Sequence, residues 1–263
     1  MCLLLIAVNV VADAPLLLLG NRDEFHERPS AAAQPWSEDE RIVGGRDLVA
    51  GGSWLAVRSD GRFAAVTNLR TGVPATAPRS RGWLVRDFVL GDEPATEFLE
   101  HVREDIGVYG PFNLVLGDAD GAFVLGSANA HAQRLPRGIH VMSNGPIGVH
   151  WPKTERLQRQ VATAIAGDVA LDAGQLLDFL ADEWRPEDDA LPHTGVGLDL
   201  ERVLSPIFIH GETYGTRAGT LVVRNSGGAI ELIERRFGPG GVAAGQSAWQ
   251  SAAGSLFAAA TGS

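Results

Sequence analysis

The sequence of 263 residues contains a single cysteine, Cys2, and a single lysine, Lys153. One cysteine excludes both an intramolecular disulfide and a cysteine-rich zinc site, so nothing indicates an oxidising compartment and we expect a cytoplasmic protein. Acidic residues outnumber basic residues by 32 to 22, which gives a net charge of −10. Because no basic patch is concentrated anywhere in the sequence, this charge argues against nucleic-acid binding.

Long hydrophobic runs are also missing. No apolar run reaches the length of about 18 residues that would span a bilayer, so we expect no stable membrane insertion. The apolar start of the sequence, residues 3–8, lacks the basic segment of a signal peptide and is broken by a turn at residues 13–15. Nothing in the composition predicts an oligomeric state.

Several common functional motifs do not occur. The sequence has no Gly-rich phosphate loop with a lysine, no Gly-x-Ser-x-Gly elbow and no His-Glu-x-x-His helix. Its seven histidines are dispersed along the chain. We therefore predict neither a metal site nor a bound cofactor.

The lone cysteine is the second residue, so removal of Met1 would make it the first residue of the mature chain. Cys2 would then carry a nucleophilic thiol and a free α-amine that can act as the base for that thiol. The alternative is that Cys2 is one small apolar residue of a buried strand, as free cysteines commonly are.

Two apolar runs, residues 3–11 and 16–19, flank the turn at residues 13–15 and predict a β-hairpin that is buried on both faces. In an antiparallel hairpin, the start of one strand and the end of its partner are neighbours. We therefore expect the polar tetrapeptide at residues 21–24, Asn-Arg-Asp-Glu, to lie close to Cys2.

The remaining elements follow from apolar periodicity and turn residues. Further hairpins are predicted at residues 52–57 with 62–68, 112–116 with 122–125, and 216–224 with 229–236, and a short strand at 140–143. Helices are predicted at residues 83–90, 95–104, 153–166 and 171–181. Loops are predicted at residues 70–81 and 185–197. The last segment, residues 238–263, is rich in Gly, Ala and Ser and is predicted to be a frayed or weakly helical tail.

This pattern of about ten strands in hairpins, with helices inserted in pairs, indicates antiparallel sheets covered by helices rather than alternating βαβ units. Because the first hairpin is buried on both faces, we expect two stacked sheets with helices outside them. The predicted fold is α+β, a four-layer αββα sandwich of two stacked, mainly antiparallel sheets. It forms a single domain over residues 1–237.

Strand ends carry the other candidate functional residues. Asn68 and Asn144 each end a strand, either as ordinary turn residues or as amide donors to a developing oxyanion. Arg22 and Asp23 either form a surface ion-pair cluster or lower the pKa of the thiol and hold the amine. Arg217 opens the last hairpin, where its planar guanidinium can bind a substrate carboxylate.

The tetrapeptide at residues 21–24 names the NRDE protein family, also called the transport and Golgi organisation protein 2 family. The resemblance covers residues 1–236 and includes further motifs in chain order. They are Met1-Cys2, Gly51-Gly52-Ser53-Trp54-Leu55, Thr67-Asn68 before Arg70, Ser80-Arg81-Gly82, Phe112-Asn113-Leu114, Ser143-Asn144, Trp151-Pro152-Lys153 and Tyr214-Gly215-Thr216-Arg217. On these motifs, the chain is identified as a member of the family.

That family resembles the N-terminal-nucleophile hydrolases, most closely the penicillin V acylase and bile salt hydrolase group. In that group, an unmasked cysteine attacks an amide and its own amine relays the proton. The resemblance implies that Cys2 is the nucleophile and that Asn144, Asn68, Arg22 and Asp23 complete the catalytic site.

The resemblance leaves the orientation of the tetrapeptide open, because the acylases carry Gly-Arg-Asn-x-Asp where this chain has Gly-Asn-Arg-Asp-Glu. Two pairs of residues are candidates to face the thiol. They are Arg22 with Asp23, and Asn21 with Glu24. The residues that we assign to substrate binding are Asn21, Glu24, Arg217 and Trp54.

Two classes of function follow. The first is an amidohydrolase that cleaves a small non-peptide amide with Cys2 after Met1 has been removed. The second is a binding or transfer protein, which the family's links to haem trafficking and lipid metabolism suggest. Its ligand would be haem or an acyl chain, so the expected partner is either a small-molecule substrate or an apolar ligand.

Overall fold

Two seven-stranded sheets form the centre of the molecule. The computed structural model describes residues 3–72, 77–167 and 171–260. Cys2, the nucleophile expected from the sequence, lies outside the described residues. The strands are, in chain order, β1 (Leu3–Val11), β2 (Ala14–Phe25), β3 (Ser30–Pro35), β4 (Ile42–Asp47), β5 (Leu55–Arg58), β6 (Phe63–Asn68), β7 (Phe112–Asp118), β8 (Gly121–Gly126), β9 (His131–Arg134), β10 (Gly138–Met142), β11 (Tyr214–Arg224), β12 (Ile230–Phe237), β13 (Ala243–Ser251) and β14 (Ala258–Ala259).

Each sheet is antiparallel at every pairing between its strands. The strand order of sheet I is β10-β1-β2-β11-β12-β13-β14. Sheet II has the sequential order β3-β4-β5-β6-β7-β8-β9. Sheet I therefore joins strands from both ends of the chain, with β1 and β2 near its centre.

Five α-helices within the described residues accompany the sheets. They are α1 (Gly82–Leu90), α2 (Ala95–Glu104), α3 (Pro152–Ala166), α4 (Ala173–Phe179) and α5 (Leu198–Val203). α1 and α2 pack on the outer face of sheet II, while α3 and α4 pack on the outer face of sheet I. None of the helices in the described residues is both long and apolar enough to cross a membrane.

Strand β1 shows how the sequence builds these layers. Its residues Leu4 and Ile6 point into the central core between the sheets, whereas Leu3 and Leu5 point into the core beneath α3 and α4. All four side chains are fully buried, and each contributes about 2 kcal/mol to the hydrophobic stabilisation of the fold. A continuous apolar run is thus required because both faces of the strand are covered.

The four-layer αββα sandwich expected from the sequence is confirmed. The expected hairpins and four helices are present, with bounds that differ by a few residues from those expected. Strands β3, β4 and β9 were not anticipated, since β3 is rich in alanine and ends in proline, and β9 is an exposed polar edge strand.

The expectation of a frayed or weakly helical tail is wrong for residues 243–251. This segment is β13, which pairs with β12 over nearly its full length. Its sequence has no β-branched residue, so its local preference for a strand is weak. The strand forms because the open edge of β12 offers backbone hydrogen bonds to β13, whose own composition does not predict a strand.

Candidate active site

The start of β1 and the end of β2 meet at one end of sheet I. Leu3 is the Cα partner of Asn21, and Leu4 is the partner of Gly20. The residue bonded to Cys2 therefore lies opposite the first residue of the polar tetrapeptide.

The tetrapeptide continues β2, so its side chains alternate between the two faces of the sheet. Arg22 and Glu24 face sheet II and line a cavity between the sheets. Asn21 lies on the opposite face, where its Nδ2 donates to the carbonyls of Leu180 and Ile207, both at 2.8 Å. The alternation therefore groups Arg22 with Glu24, which is neither of the two pairs that the sequence left open.

Asp23 ties β2 to β11 from within the buried part of the sheet. Its Oδ1 accepts a hydrogen bond of 2.6 Å from the Thr216 hydroxyl. That hydroxyl in turn accepts from the backbone N–H of Ile209 at 2.9 Å. This chain of two bonds fixes the orientation of the Asp23 carboxylate.

Arg22 has an unusual environment for a charged side chain. It is only 4% exposed, and its Cζ lies 4.4 Å from the centre of the Trp54 ring. Its Nη1 is 3.5 Å from the Ser30 hydroxyl, and no carboxylate among the described residues forms an ion pair with it. Burial lowers the pKa of Arg22 below its ordinary value, an effect that the nearby Glu24 opposes. The guanidinium is thus buried, oriented by a ring, and not neutralised by a direct partner.

The cavity beside Arg22 has a volume of about 150 Å³. It is lined by Arg22, Glu24, Arg28, Asp47, Ser53, Trp54, Val66, Asn68, Ser80, Arg81 and Gly82. Three arginines face two carboxylates, so the lining carries a net positive charge.

The two carboxylates of the lining lie near Arg28. Asp47 Oδ2 is 2.7 Å from Arg28 Nη2, and this hydrogen bond raises the pKa of Arg28. Glu24 Oε2 is 3.9 Å from Arg28 Nε. These contacts neutralise Arg28 and leave Arg22 as the buried cation of the cavity.

Such a lining suits an anion better than a cation. In the described ranges, no group of three or more His, Cys, Asp and Glu side chains is arranged to hold a metal ion. A positively charged, partly enclosed cavity attracts carboxylates and other oxyanions.

A close approach of two backbones forms one wall of the cavity. The backbone N–H of Ser53 donates to the carbonyl of Gly82 at 3.0 Å. A Cβ atom on Gly52 would lie 2.4 Å from the carbonyl carbon of Gly82, closer than any real contact. Two motifs of the sequence, residues 51–55 and 80–82, thus meet here because each supplies a glycine.

Asn68 and Asn144 lie together, at the same end of the sandwich as the cavity. The Nδ2 of Asn144 donates to the backbone carbonyl of Asn68 at 2.8 Å. The backbone N–H of Arg70 donates to the carbonyl of Asn144, also at 2.8 Å. One of the two amide N–H groups of Asn144 is therefore engaged in joining the strand ends.

Asn113 holds this junction and was not singled out from the sequence for a role. Its buried Nδ2 donates to the carbonyls of Gly145 at 2.8 Å and Ser143 at 3.3 Å. The Thr67 hydroxyl donates to the same Ser143 carbonyl at 3.0 Å. The available signal was an amide inside an apolar strand, since a buried amide must find hydrogen-bond partners.

Arg70 is a second residue that the sequence did not assign. Its Nη1 is 2.6 Å from Oε2 of the buried Glu201 in α5, and its guanidinium lies over Trp151. The Glu201 carboxylate also accepts from the backbone N–H of Thr194 at 2.9 Å. This ion pair anchors the segment around α5 beside Asn144.

Arg217 lies near the start of β11, the first strand of the last hairpin. Its Nη1 donates to the backbone carbonyls of Phe25, at 3.1 Å, and Arg28. It lies at the register shift between Thr216 and Ala218, and it is not among the residues that line the cavity. Arg217 thus holds the exit of β2 by its backbone.

Two stacked antiparallel sheets with helices outside them form a fold that this chain shares with solved hydrolases. The chain is similar to the N-acylethanolamine-hydrolyzing acid amidase ortholog of Caenorhabditis elegans, with a TM-score of 0.50, 11% identity, and coverage of 84% of this chain and 92% of that one. It is also similar to the C2A mutant of the conjugated bile acid hydrolase from Clostridium perfringens, with a TM-score of 0.53, 8% identity, and coverage of 100% and 97%. At these identities, the likeness shows the fold alone.

The chain belongs to the Transport and Golgi organisation 2 family, whose sequence profile matches residues 1–239. The mouse Transport and Golgi organization 2 homolog is 28% identical over 236 residues, covering 84% of this chain and 86% of the relative. The Drosophila melanogaster Transport and Golgi organization protein 2 is 28% identical over 253 residues, covering 83% and 85%. The recognition of the family from its sequence motifs is confirmed.

Proposed function

We propose that the chain is an N-terminal cysteine amidohydrolase that cleaves a small-molecule, non-peptide amide after removal of Met1. The observation that carries the proposal is the register of the first hairpin. Leu3 lies opposite Asn21, at the end of sheet I where Arg22 lines a cavity, and Cys2 is the residue that precedes Leu3 in the chain.

The cavity lies on the inner side of sheet I, towards sheet II. Leu4 and Ile6 point into the core between the sheets. Arg22 points to the same side of sheet I from the neighbouring strand. The proposed reaction requires the Cys2 thiol to act on this side of the sheet.

In the proposed reaction, the α-amine of Cys2 takes the thiol proton and the thiolate attacks the carbonyl carbon of the amide. The carbonyl oxygen becomes an oxyanion, which the amide groups of Asn68 and Asn144 stabilise by donating hydrogen bonds. The C–N bond then breaks, and the α-ammonium gives its proton to the departing amine, leaving a thioester on Cys2. Water, deprotonated by the same α-amine, attacks the thioester, and the thiol and a carboxylic acid are released.

The remaining residues of the site have supporting roles in the proposal. Arg22 stabilises the thiolate by its positive charge, and Asp23 holds the α-ammonium. Trp54 orients Arg22 by stacking under its guanidinium. Asn21, Glu24 and Arg217 shape the end of β2 that the substrate approaches.

The names of the two solved structures support a hydrolase. One is an acid amidase and the other a conjugated bile acid hydrolase in which a cysteine at position 2 was replaced by alanine. The alternative of a non-catalytic holder of haem or an acyl chain has no comparable support at this cavity, whose volume of about 150 Å³ and charged lining do not suit a large apolar ligand.

The test begins with the intact mass of the purified protein, which we expect to lack Met1. Release of free amine from a panel of small N-acyl amides is then measured for the wild type, Cys2→Ala and Cys2→Ser. We expect Cys2→Ala to reduce turnover by at least about a thousandfold, as for other removed nucleophiles. Cys2→Ser, which keeps the α-amine and a weaker nucleophile, should retain an intermediate rate.

Two results would contradict the proposal. One is turnover by Cys2→Ala at the wild-type rate. The other is full activity of a protein that retains Met1, because its Cys2 has no free amine. If no amide is cleaved and haem binds with one-to-one stoichiometry, the binding alternative replaces the hydrolase.

A further inference from the structure

We infer that the cavity beside Arg22 is a binding site for a carboxylate, so that the substrate is a short amide carrying a carboxylate group. This inference deepens the proposed function and rests on it for the reaction, but the binding site itself is open to a separate test.

Three arginines of the described chain are buried, and they differ in their partners. They are Arg22, Arg58 and Arg62. Arg58 forms ion pairs with Asp60 at 2.8 Å and Asp92 at 2.9 Å. Arg62 is 3.8 Å from Asp118 and donates to the carbonyl of Phe88 at 2.7 Å. Arg22 is the one of the three without an ion pair among the described residues.

A buried guanidinium without an ion pair is costly, because the more distant charges of Glu24 and Asp47 oppose its desolvation without contacting it. The carboxyl of Glu234, on β12 of the same sheet, is buried and has a raised pKa because of that burial. Its Oε1 accepts from the backbone N–H of Ala33 at 2.8 Å and lies 3.7 Å from Arg236 Nη1, and it forms no ion pair with Arg22. A negative group that enters the cavity would supply the missing partner of Arg22.

A second arginine stacked on a tryptophan shows that stacking alone does not explain the missing ion pair. Arg46 lies 4.3 Å from the centre of the Trp36 ring, almost the same distance as Arg22 from Trp54. Arg46 is nevertheless paired with Glu38, at 2.9 Å. The two stacked arginines differ because Arg22 lines a cavity, whereas Arg46 forms an ion pair with Glu38.

The size of the cavity sets the size of the ligand. Its volume of about 150 Å³ corresponds to about five water molecules. That space accommodates a carboxylate with a short chain, and it does not accommodate a haem. The planar fork of Arg22 matches the two oxygens of a carboxylate, with Arg81 on another wall.

The test measures binding to the Cys2→Ala variant by calorimetry, so that no turnover is required. The probes are N-acetylglycine, its uncharged analogue N-acetylglycinamide, and inorganic phosphate. We expect N-acetylglycine to bind at least about tenfold more tightly than the uncharged analogue, as charge-assisted hydrogen bonds predict. Its binding should weaken as salt is added.

Matched substitutions locate the site. In the Cys2→Ala background, Arg22→Met should weaken N-acetylglycine binding by about tenfold or more, while Arg46→Met should leave it unchanged. Arg22→Lys keeps the positive charge but loses the planar guanidinium, so its affinity for N-acetylglycine should lie between those of the other two variants. Thermal unfolding of each variant confirms that it is folded, and Arg22→Lys serves if Arg22→Met does not fold.

The outcomes separate this inference from the proposed function. Equal binding of N-acetylglycine and its amide, no binding of either, binding of phosphate alone, or loss of binding in Arg46→Met would each overturn the carboxylate site. Binding by Cys2→Ala without amide turnover by the wild type would retain the site and overturn the hydrolase. Turnover of neutral amides by the wild type without carboxylate binding would retain the hydrolase and overturn the carboxylate site.

Discussion

The guanidinium of Arg22 depends on Trp54 for its orientation, since the ring lies 4.4 Å beneath it and the Ser30 hydroxyl is 3.5 Å away. A guanidinium over an indole gains about 0.5–2 kcal/mol, most where the pair is shielded from water. The ring thus replaces, in part, the carboxylate that other buried arginines of this chain have. At the scale of single residues, Trp54 is the support of the charged side of the cavity.

The first prediction compares two tryptophans that each carry a stacked arginine. Trp54→Leu and Trp36→Leu should both destabilise the protein, by about 2–5 kcal/mol, because each removes a buried aromatic ring. Trp54→Leu should also lower kcat/KM for amide cleavage at a temperature where both variants are folded, because Arg22 loses its orientation. Urea unfolding and steady-state kinetics check the two parts, and an equal effect of both variants on kcat/KM would contradict the role of Trp54.

The contact between Gly52 and Gly82 shapes the cavity at the scale of elements, because it joins the start of β5 to the start of α1. The second prediction is that Gly52→Ala destabilises the protein by about 1–3 kcal/mol, as added atoms do in close-packed regions. The new Cβ would lie 2.4 Å from the carbonyl carbon of Gly82 and would push the two segments apart. Thermal and urea unfolding measure the loss.

Gly107 provides the control for that substitution. A Cβ at Gly107 would meet no atom within 4 Å. We expect Gly107→Ala to change the free energy of unfolding by less than about 0.5 kcal/mol. A loss of stability in Gly107→Ala equal to that in Gly52→Ala would contradict the explanation by close approach.

The edge strand β3 is joined to sheet I by two side chains. The register of β3 with β4 shifts between Ala31 and Gln34, which frees the backbone of Ala33 from the sheet ladder. Glu234 accepts from the Ala33 N–H and the Trp249 indole donates to the Ala33 carbonyl, both at 2.8 Å. The backbone N–H and carbonyl of Ala33 therefore find their hydrogen-bond partners on sheet I, across the central core, rather than within sheet II.

The third prediction concerns the pH dependence of this link. Burial raises the pKa of Glu234 above its ordinary value of 4.5, so the folded state holds the proton more tightly than the unfolded state does. The stability that this group contributes is full below the unfolded-state pKa and is lost as the pH rises through the folded-state pKa. Glu234→Gln keeps an acceptor for Ala33 and cannot ionise. It should therefore be more stable than the wild type at about pH 8, and its advantage should shrink towards about pH 4.5.

Urea unfolding at several pH values measures that difference. Glu234→Leu is the matched control, since it cannot ionise and leaves the Ala33 N–H without its acceptor, at a cost of about 1–3 kcal/mol. A stability difference between wild type and Glu234→Gln that does not change with pH would contradict the assignment.

At the scale of the whole molecule, periodicity and turn residues were enough to predict the layers. The first hairpin is apolar on both faces because sheet II covers one side and α3 and α4 cover the other. That pattern required two stacked sheets with outer helices. Strand β13 could not be predicted in the same way, because its pairing depends on the open edge of β12 rather than on its own residues.

The candidate site was predictable in its location but not in its contacts. The hairpin register brought residues 21–24 to the start of β1, as expected from the sequence. The grouping of Arg22 with Glu24 depends on strand alternation that begins at Ala14, eight residues before Arg22, and continues past the end of the strand predicted at residue 19. An amide inside an apolar strand signals that Asn113 needs buried hydrogen-bond partners, but it does not say which. Those partners, like Glu201 for Arg70, lie far away in the chain, so no local pattern identified them.

The claim on which the account depends most is that the substrate's acyl group is transferred to Cys2 at the N-terminus. The most direct measurement is a rapid quench of the protein with the fastest substrate of the amide panel, followed by cleavage after Arg22, the first basic residue. Mass analysis of the N-terminal peptide should show residues 2–22 with the mass of one acyl group, and Cys2→Ala should show none. An acyl group on any other residue, or a peptide that begins with Met1 in protein that turns over substrate, would contradict the account.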